Sequence, residues 1–542
     1  MEQNNKSSTG LVLLILASGQ FLMTLDTSVM NVSIAQVAED VGTTVTGIQT
    51  AITLYTLVMA TLMITGGKIG SIVGRRRAFS IGCVIYGAGS LTTALAPNLT
   101  VLIIGWSVLE GMGAALIMPA IVALVASNFP PEGRPRAYGL VASAGAIAVA
   151  AGPLIGGALT TYASWRYVFA GEVVIVAGIL VLAKRMKDVP ADPTGKLDLT
   201  GAALSAVGLG MVVFGVLRSG EWGWVFPNSN APSLAGVSLT LWLILGGMAV
   251  IWLFFLWEEH VIAAGREPLV NPAMLDSLRL RGGLTMFFFQ FMIQAGIFFV
   301  VPLFLTVALG LTAIATGVRL LPLSITLLIA AVAIPRYLPI ASPRRVVRWG
   351  IGALLVGVVS LIAALDAGAG AEIVTIPLFF TGVGVGALAS QLGAVTVSGV
   401  RDEETGEVGG LQNTMTNLGA SLGTALAGSL LIATLTTSFI AGIEANPDVP
   451  DEIKTTAEVE LADGIPFVSN EQLETALVDA GLPADQVAAI VAENESARID
   501  GLRAALAVLA VAALVALYFT RLIPTEPAGG AKSSSEVPAV AG

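Results

Sequence analysis

The sequence predicts an all-α membrane protein of fourteen transmembrane helices, and three observations carry that expectation. Hydrophobic residues make up 55% of the 542 and charged residues only 12%, about half the charged share of a soluble domain. Apolar runs of about 20 residues, enough to cross a bilayer, follow one another almost without interruption. Between the second and third lies GGKIGSIVGRRRAF, Gly66 to Phe79, a short hinge carrying Lys68, Arg75, Arg76 and Arg77. Lysine and arginine in a short connection mark the cytoplasmic face. That hinge therefore orients the rest of the chain.

The runs begin near Gly10, Gly47, Ala78, Thr100, Ala137 and Arg166, then near Leu199 and Ser238, then near Gly282, Leu311, Arg348, Ile373, Val408 and Leu502. Fourteen crossings put both termini on the cytoplasmic side, and 21 of the 27 basic residues then fall inside. The connections divide the spans as six, two and six. Residues 1–9 read as a cytoplasmic N-terminus, 10–185 as a first six-helix bundle, and 186–280 as a two-helix insertion with its linkers. Residues 281–521 read as a second six-helix bundle, and 522–542 as a disordered cytoplasmic tail. ASPRRVV, Ala341 to Val347, lies where a second copy of the basic hinge would fall, a weak internal repeat of the kind two-bundle transporters carry.

Composition removes several classes of function. One cysteine, Cys83, leaves no disulfide framework, and one histidine, His260, argues against a His-based triad or metal centre. No nucleotide-binding G-x-x-x-x-G-K-[ST] loop occurs, which disfavours ATP-driven work. The net charge of −10 belongs to one outer loop. Ala441 to Asp500 holds 14 Asp/Glu against 2 Lys/Arg, so the remainder nets +2, and nucleic-acid binding has no support. Within that loop, SNEQLETALVDAGL and PADQVAAIVAENESARI have helical apolar spacing, with Ser469 or Asn470 as a cap. The loop serves as a solvated lid or spacer, or as a cation-attracting vestibule.

Three acidic residues fall inside spans of the first bundle: Asp26, Glu110 and Glu172. A carboxylate at such depth costs about 2.5–3.5 kcal/mol even on the lenient scale, and no Lys or Arg sits beside them in these spans. A carboxyl that is neutral when dry and ionised when wet is what a proton carrier needs. The alternative for each is a carboxyl hydrogen-bonded to a neighbouring helix. In the second bundle, Gln290 and Gln294 lie one turn apart on the ninth span, as do Asn413 and Asn417 on the thirteenth. Met286, Phe287, Phe291, Met292 and Phe298 border them. Such a surface suits a large apolar ligand, or plain interhelical packing.

Four stretches resemble the Major Facilitator Superfamily, in its fourteen-span drug:proton antiporter branch. LDTSVMNVSIAQV in the first span is similar to that branch's LD-x-T-V-x-N-V-A-x-P. GKIGSIVGRRR is similar to the family's G-x-L-A-D-R-x-G-R-R, with Gly67, Lys68, Gly74, Arg75 and Arg76 in place and Ser71 and Ile72 standing for its Asp and Arg. AVAAGPLIGGAL matches G-x-x-x-G-P-x-x-G-G-x-L through Gly152, Pro153, Gly156 and Gly157, with Ala148 at the first glycine. GLQNTMTNLGASLGTALAG resembles the branch's thirteenth span. In the fourth span Ser107 and Glu110 stand for an arginine and a glutamine, and in the sixth Glu172 stands for an asparagine.

The resemblance implies a major facilitator fold of two six-helix bundles plus two inserted helices, in a bacterial inner membrane. It implies alternating access and export of a small hydrophobic or amphipathic substrate against protons, by a monomer among membrane lipids with no cofactor beyond the proton gradient. Asp26, Glu110 and Glu172 would couple to protons. Proline and glycines at 152–157 would kink and closely pack the fifth span as a pivot for the rocking bundles. Two alternatives stay open: a lipid or lipophilic-metabolite exporter with weak coupling, and a non-transporting sensor or scaffold that uses the acidic outer loop.

Overall fold

In the computed structural model, residues 2–186, 195–228, 231–338, 341–366, 368–450, 454 and 467–526 are described. Helices α1 (Glu2–Asp40), α2 (Val45–Val73), α3 (Arg75–Ala94), α4 (Leu99–Asn128), α5 (Arg134–Tyr162) and α6 (Arg166–Ala183) make the first bundle. The inserted pair is α7 (Leu199–Trp222) and α8 (Leu239–Ala263), joined by a loop with a small antiparallel hairpin, Ser233–Leu234 on Val237–Ser238. Helices α9 (Leu278–Ala308), α10 (Ala313–Tyr337), α11 (Pro343–Ala364), α12 (Thr375–Val397), α13 (Thr405–Ala445) and α14 (Ala484–Phe519) make the second. Thirteen of the fourteen are long and apolar enough to cross a membrane. The other, α3, has the length but opens on three arginines and buries a polar face of Tyr86, Ser90 and Thr93.

Several boundaries differ from the sequence reading, each for a physical reason. The basic hinge is not a glycine-rich loop. Helix α2 runs through GGKIGSIV to Val73, and the reversal is made by Gly74 alone, at φ 97°, a backbone region that glycine enters without penalty. Gly66 and Gly67 instead let α2 press backbone to backbone on its neighbours: a Cβ at Gly66 would run into the carbonyl of Ala115, and one at Gly67 would lie 2.5 Å from the carbonyl oxygen of Gly406. The polar N-terminus, 2–9, is the start of α1 rather than a separate segment.

The acidic segment 441–500 is also more helical than expected. PADQVAAIVAENESARI is not a free-standing helix but the beginning of α14, which starts at Ala484 rather than near Leu502. At about 1.5 Å per residue the 41-residue α13 and 36-residue α14 reach roughly 60 and 54 Å, well beyond a hydrocarbon core of about 30 Å. Leu435, Phe439 and Ile443 of α13 pack on Ile490 and Ala497 of α14 there, with Val449 closing the cluster. Between them a short helix, Asn470–Asp479, starts on a reciprocal cap: Gln472 N donates to Ser469 Oγ at 3.2 Å, and Ser469 N to Gln472 Oε1 at 3.1 Å. Buried Arg498 ties it down by donating to Val468 O at 2.8 Å and to Asn470 Oδ1.

The tail expectation for 522–542 is corrected at its start. Ile523 is fully buried, and Pro524 O accepts from Arg344 N at 3.1 Å, so the chain stays packed past α14. The rest of that expectation, from 527 on, lies outside the described residues.

Candidate functional site

Glycines decide how the first bundle closes around its acidic residues. Gly82, Gly89, Gly105 and Gly113 bring α3 and α4 into backbone contact; a Cβ at Gly89 would sit 2.6 Å from Glu110 Cγ, and one at Gly113 would sit 2.7 Å from Tyr86 N. The facing stretch of α4, Ile103–Glu110, is wound as a π-helix, a widened turn that recurs at functional sites. It carries Trp106, Ser107 and Glu110, all fully buried.

Asp26 of α1, Glu110 of α4 and Glu172 of α6 converge here. One oxygen of each carboxyl lies within 4.8 Å of the others, and none is more than 1% exposed. Trp106 Nε1 donates to both oxygens of Asp26, at 2.7 and 2.9 Å, and the Trp106 ring stacks on Tyr55 at 5.1 Å. Thr93 Oγ1 donates to Glu110 Oε1 at 3.2 Å. Ser90 Oγ and Tyr86 OH donate to Glu172 Oε2 at 3.2 and 3.4 Å. Three buried atoms, Glu110 Oε2, Glu172 Oε1 and Tyr55 OH, have no hydrogen-bond partner among the described residues. Two unit charges 4.8 Å apart repel by about 3–4 kcal/mol at an effective dielectric constant of 20. A trio so placed, ringed by neutral donors, has the chemistry to take up protons or a hard cation.

The three carboxyls are legible in the sequence, but their surroundings are not. Trp106, Tyr55, Tyr86, Ser90 and Thr93 sit in apolar runs where an aromatic or hydroxyl residue reads as ordinary packing. The alternative for Glu172, a bond from a neighbouring hydroxyl, is present alongside the convergence. Ser107 donates to Ala51 O at 2.7 Å, so the position occupied by arginine in the family serves here to join α4 to α2.

The expected substrate residues are scattered in role. Met286 is fully buried in the core of the second bundle, with Phe291 and Phe298 packed against that core. Asn413 Nδ2 donates to Gly409 O and Asn417 Nδ2 to Asn413 O, both at 2.9 Å and both within α13; Asn417 also reaches Met63 Sδ of α2 at 3.4 Å. Gln290 and Gln294 each keep a buried Oε1 without a partner among the described residues, so these two retain spare hydrogen-bonding capacity. A separate open groove of about 1060 Å³ runs between the α7–α8 loop, α9 and α13, bordered by Trp224, Phe226, Phe299, Leu303, Ser429 and Thr436. Trp224 Nε1 closes one edge by donating to Ser429 Oγ at 3.0 Å.

The two bundles meet tightly at the end that bears the basic hinge. Lys68 Nζ of α2 lies 3.0 Å from Glu407 Oε1 of α13, with both side chains under a tenth exposed, and 3.8 Å from Glu267 Oε2. Arg75 donates to Glu403 O at 3.2 Å, and Arg76 donates to Met186 O at 3.2 Å within the first bundle. A Cβ at Gly409 would lie 2.6 Å from Pro119 O, and one at Gly410 2.8 Å from Met63 O. The glycine–proline stretch of α5, expected as a pivot between bundles, packs here on α1. Its Gly152 and Gly156 close on Ser28 and Val29 of α1, inside the first bundle. The contact of α5 with the second bundle lies nearer the basic end, where Ser324 Oγ of α10 donates to Ala146 O at 3.0 Å and a Cβ at Gly139 would meet Ala331 O at 2.8 Å.

Two helical bundles joined at one end, with buried carboxyls in one of them, define an integral membrane protein of the transporter class. The chain belongs to the Major Facilitator Superfamily, whose sequence model matches residues 16–424. It is 28% identical over 433 residues to the tetracenomycin C resistance and export protein of Streptomyces glaucescens, covering 77% of this chain and 75% of that one. It is 29% identical over 433 residues to the cephamycin export protein CmcT of Amycolatopsis lactamdurans, covering 78% and 85%. Among solved structures, the human organic anion transporter MFSD10 superposes with a TM-score of 0.58 at 12% identity, over 94% of this chain and 99% of that one. At that identity the likeness concerns the fold alone.

Proposed function

We propose that this protein is a proton-coupled exporter of hydrophobic or amphipathic compounds, working by alternating access as a multidrug or antibiotic efflux antiporter. It would sit in a bacterial cytoplasmic membrane with both termini inside, as the distribution of basic residues favours. The observation that carries the reading is the sealed trio of Asp26, Glu110 and Glu172, with no basic side chain among its hydrogen-bond partners in the described residues. Such a group takes up protons when closed and releases them when its helices part and water enters. Relatives named for resistance to or export of antibiotics support the direction and substrate class. Asp26, bonded through both oxygens to Trp106 on the π-helical turn, has its proton state tied to the shape of α4.

The test uses proteoliposomes with a trapped pH dye, to which lipophilic cations and neutral antimicrobials are added. Wild type should show substrate-driven proton flux that Asp26→Asn abolishes and Glu110→Gln weakens. Substrate transport by wild type with no proton flux would overturn the coupling. Export of a lipid or lipophilic metabolite is the second reading. The open groove beside Trp224 and Phe226 favours it, and dependence of transport on lipid composition would separate the two.

A further inference from the structure

The basic segment ASPRRVV, the weak second copy of the hinge, takes no part in the machinery above. It opens α11, and its arginines continue into a stripe along one face of that helix. Arg345, Arg348, Trp349, Gly352 and Val356 recur at helical spacing. With Phe380 of α12 they line an open groove of about 980 Å³. The groove has a gradient along its length. Arg345, Arg348 and Trp349 are exposed at the basic end of the molecule, Trp349 at 74%. Beyond them Gly352 keeps the floor open, since a Cβ there would meet nothing within 4 Å, and the walls become apolar.

The dimensions and charge fit one kind of ligand. From Arg345 to Val356 the helix rises about 16 Å, close to the roughly 15 Å of hydrocarbon in one leaflet. Tryptophan beside Arg348 and one turn in from Arg345 is where a headgroup gives way to acyl chain. Two further features prepare the mouth for an anion. Arg344 and Arg348 are each held through Nε, by Ile523 O at 2.7 Å and Thr520 Oγ1 at 3.3 Å, leaving the terminal nitrogens of each fork for a phosphate. The neighbouring acid, Glu526, pairs with Arg279 at 3.3 Å and does not neutralise them.

We propose that this groove is a binding site for an anionic diacyl phospholipid of the leaflet at the basic end. Its phosphate rests on Arg344, Arg345 and Arg348, all of which line the groove, and one acyl chain runs past Trp349 and Gly352 to Val356. The site lies on the membrane-facing side of α11, away from the carboxyl trio, and does not depend on the export reading.

Native mass spectrometry of the full chain in detergent, titrated with dioleoyl-phosphatidylglycerol or dioleoyl-phosphatidylcholine, tests it. Phosphatidylglycerol should bind at least tenfold more tightly. Arg345→Gln/Arg348→Gln should weaken it roughly 30-fold, at about 1 kcal/mol for each basic residue, and Arg345→Lys/Arg348→Lys should keep most of the affinity. Gly352→Phe, which fills the groove from open space, should weaken phosphatidylglycerol at least tenfold without lowering the melting temperature of the lipid-free protein. Equal binding of the two lipids overturns the proposal, as does phosphatidylglycerol binding that Gly352→Phe leaves intact and inorganic phosphate displaces, which marks a headgroup-only site. Binding indifferent to the arginine pair places the lipid elsewhere. Failure of the full chain to bind phosphatidylglycerol, as a groove filled by residues 527–542 would produce, also overturns it.

Discussion

Replacing Glu407 by glutamine should loosen the basic end of the molecule, and the structure sets the size of the effect. Lys68 and Glu407 are 3.0 Å apart with side chains 9% and 8% exposed. Removing one member of a buried pair costs about 3–5 kcal/mol, most of it the stranded charge of the other. Here Glu267, 3.8 Å from Lys68 and 43% exposed, relieves part of that charge. A cost of about 2–3 kcal/mol against the closed arrangement remains, a shift of roughly 30- to 150-fold in the equilibrium between closed and parted bundles. Cys83 is the chain's single cysteine, so Cys83→Ala gives a background for spin labels at Arg136 and Tyr337, exposed positions on α5 and α10. Double electron–electron resonance should show the short-distance population of wild type lost in Glu407→Gln. It should return in Lys68→Met/Glu407→Leu, because an apolar pair of similar volume strands no charge. An unchanged distance distribution in Glu407→Gln, or a double variant as open as the single one, would refute the view that this pair holds the bundles together.

Three further outcomes follow from the same geometry. Trp106→Phe removes the donor shared by both Asp26 oxygens and should cost about 1.5–3 kcal/mol, read as a lower melting temperature in detergent, whereas Trp252→Phe on the exposed surface of α8 should leave it unchanged. Gly152→Ala forces a methyl into Ser28 of α1 and should destabilise the first bundle by about 1–3 kcal/mol; Ser28→Gly in the same chain should restore the melting temperature, and no rescue would mean the contact is not the cause. Ser469→Ala removes the cap of the short helix before α14 at a cost of about 1 kcal/mol; limited proteolysis should cut faster around 467–479 while the membrane helices stay protected.

Most of the fold is legible in the amino-acid sequence. Apolar runs of the right length and the asymmetry of lysine and arginine yield fourteen helices and their alternation, because the bilayer acts on each segment separately and rewards length and charge along one dimension. Even α3, which falls short on hydropathy, is recoverable from the charged turn that precedes it. Boundaries are less legible where tertiary contacts override local signals. GGKIGSIV reads as part of a short hinge between helices, yet its glycines face the backbones of Ala115 and Gly406 and the helix continues. In the same way α13 and α14 extend past the membrane because Phe439 and Ile490 share one apolar cluster.

The candidate site divides along the same line. Asp26, Glu110 and Glu172 stand out in the sequence because an ionisable group in an apolar run is costly and therefore informative. Their approach to within 4.8 Å, the double bond from Trp106 and the pairing of Lys68 with Glu407, 339 residues away, are visible only in three dimensions. Composition determines that a segment enters the bilayer and how many polar groups it carries. Which groups meet depends on how far each helix is rotated about its axis and how closely glycine lets its neighbour approach, and that is decided by the packing of all the helices at once.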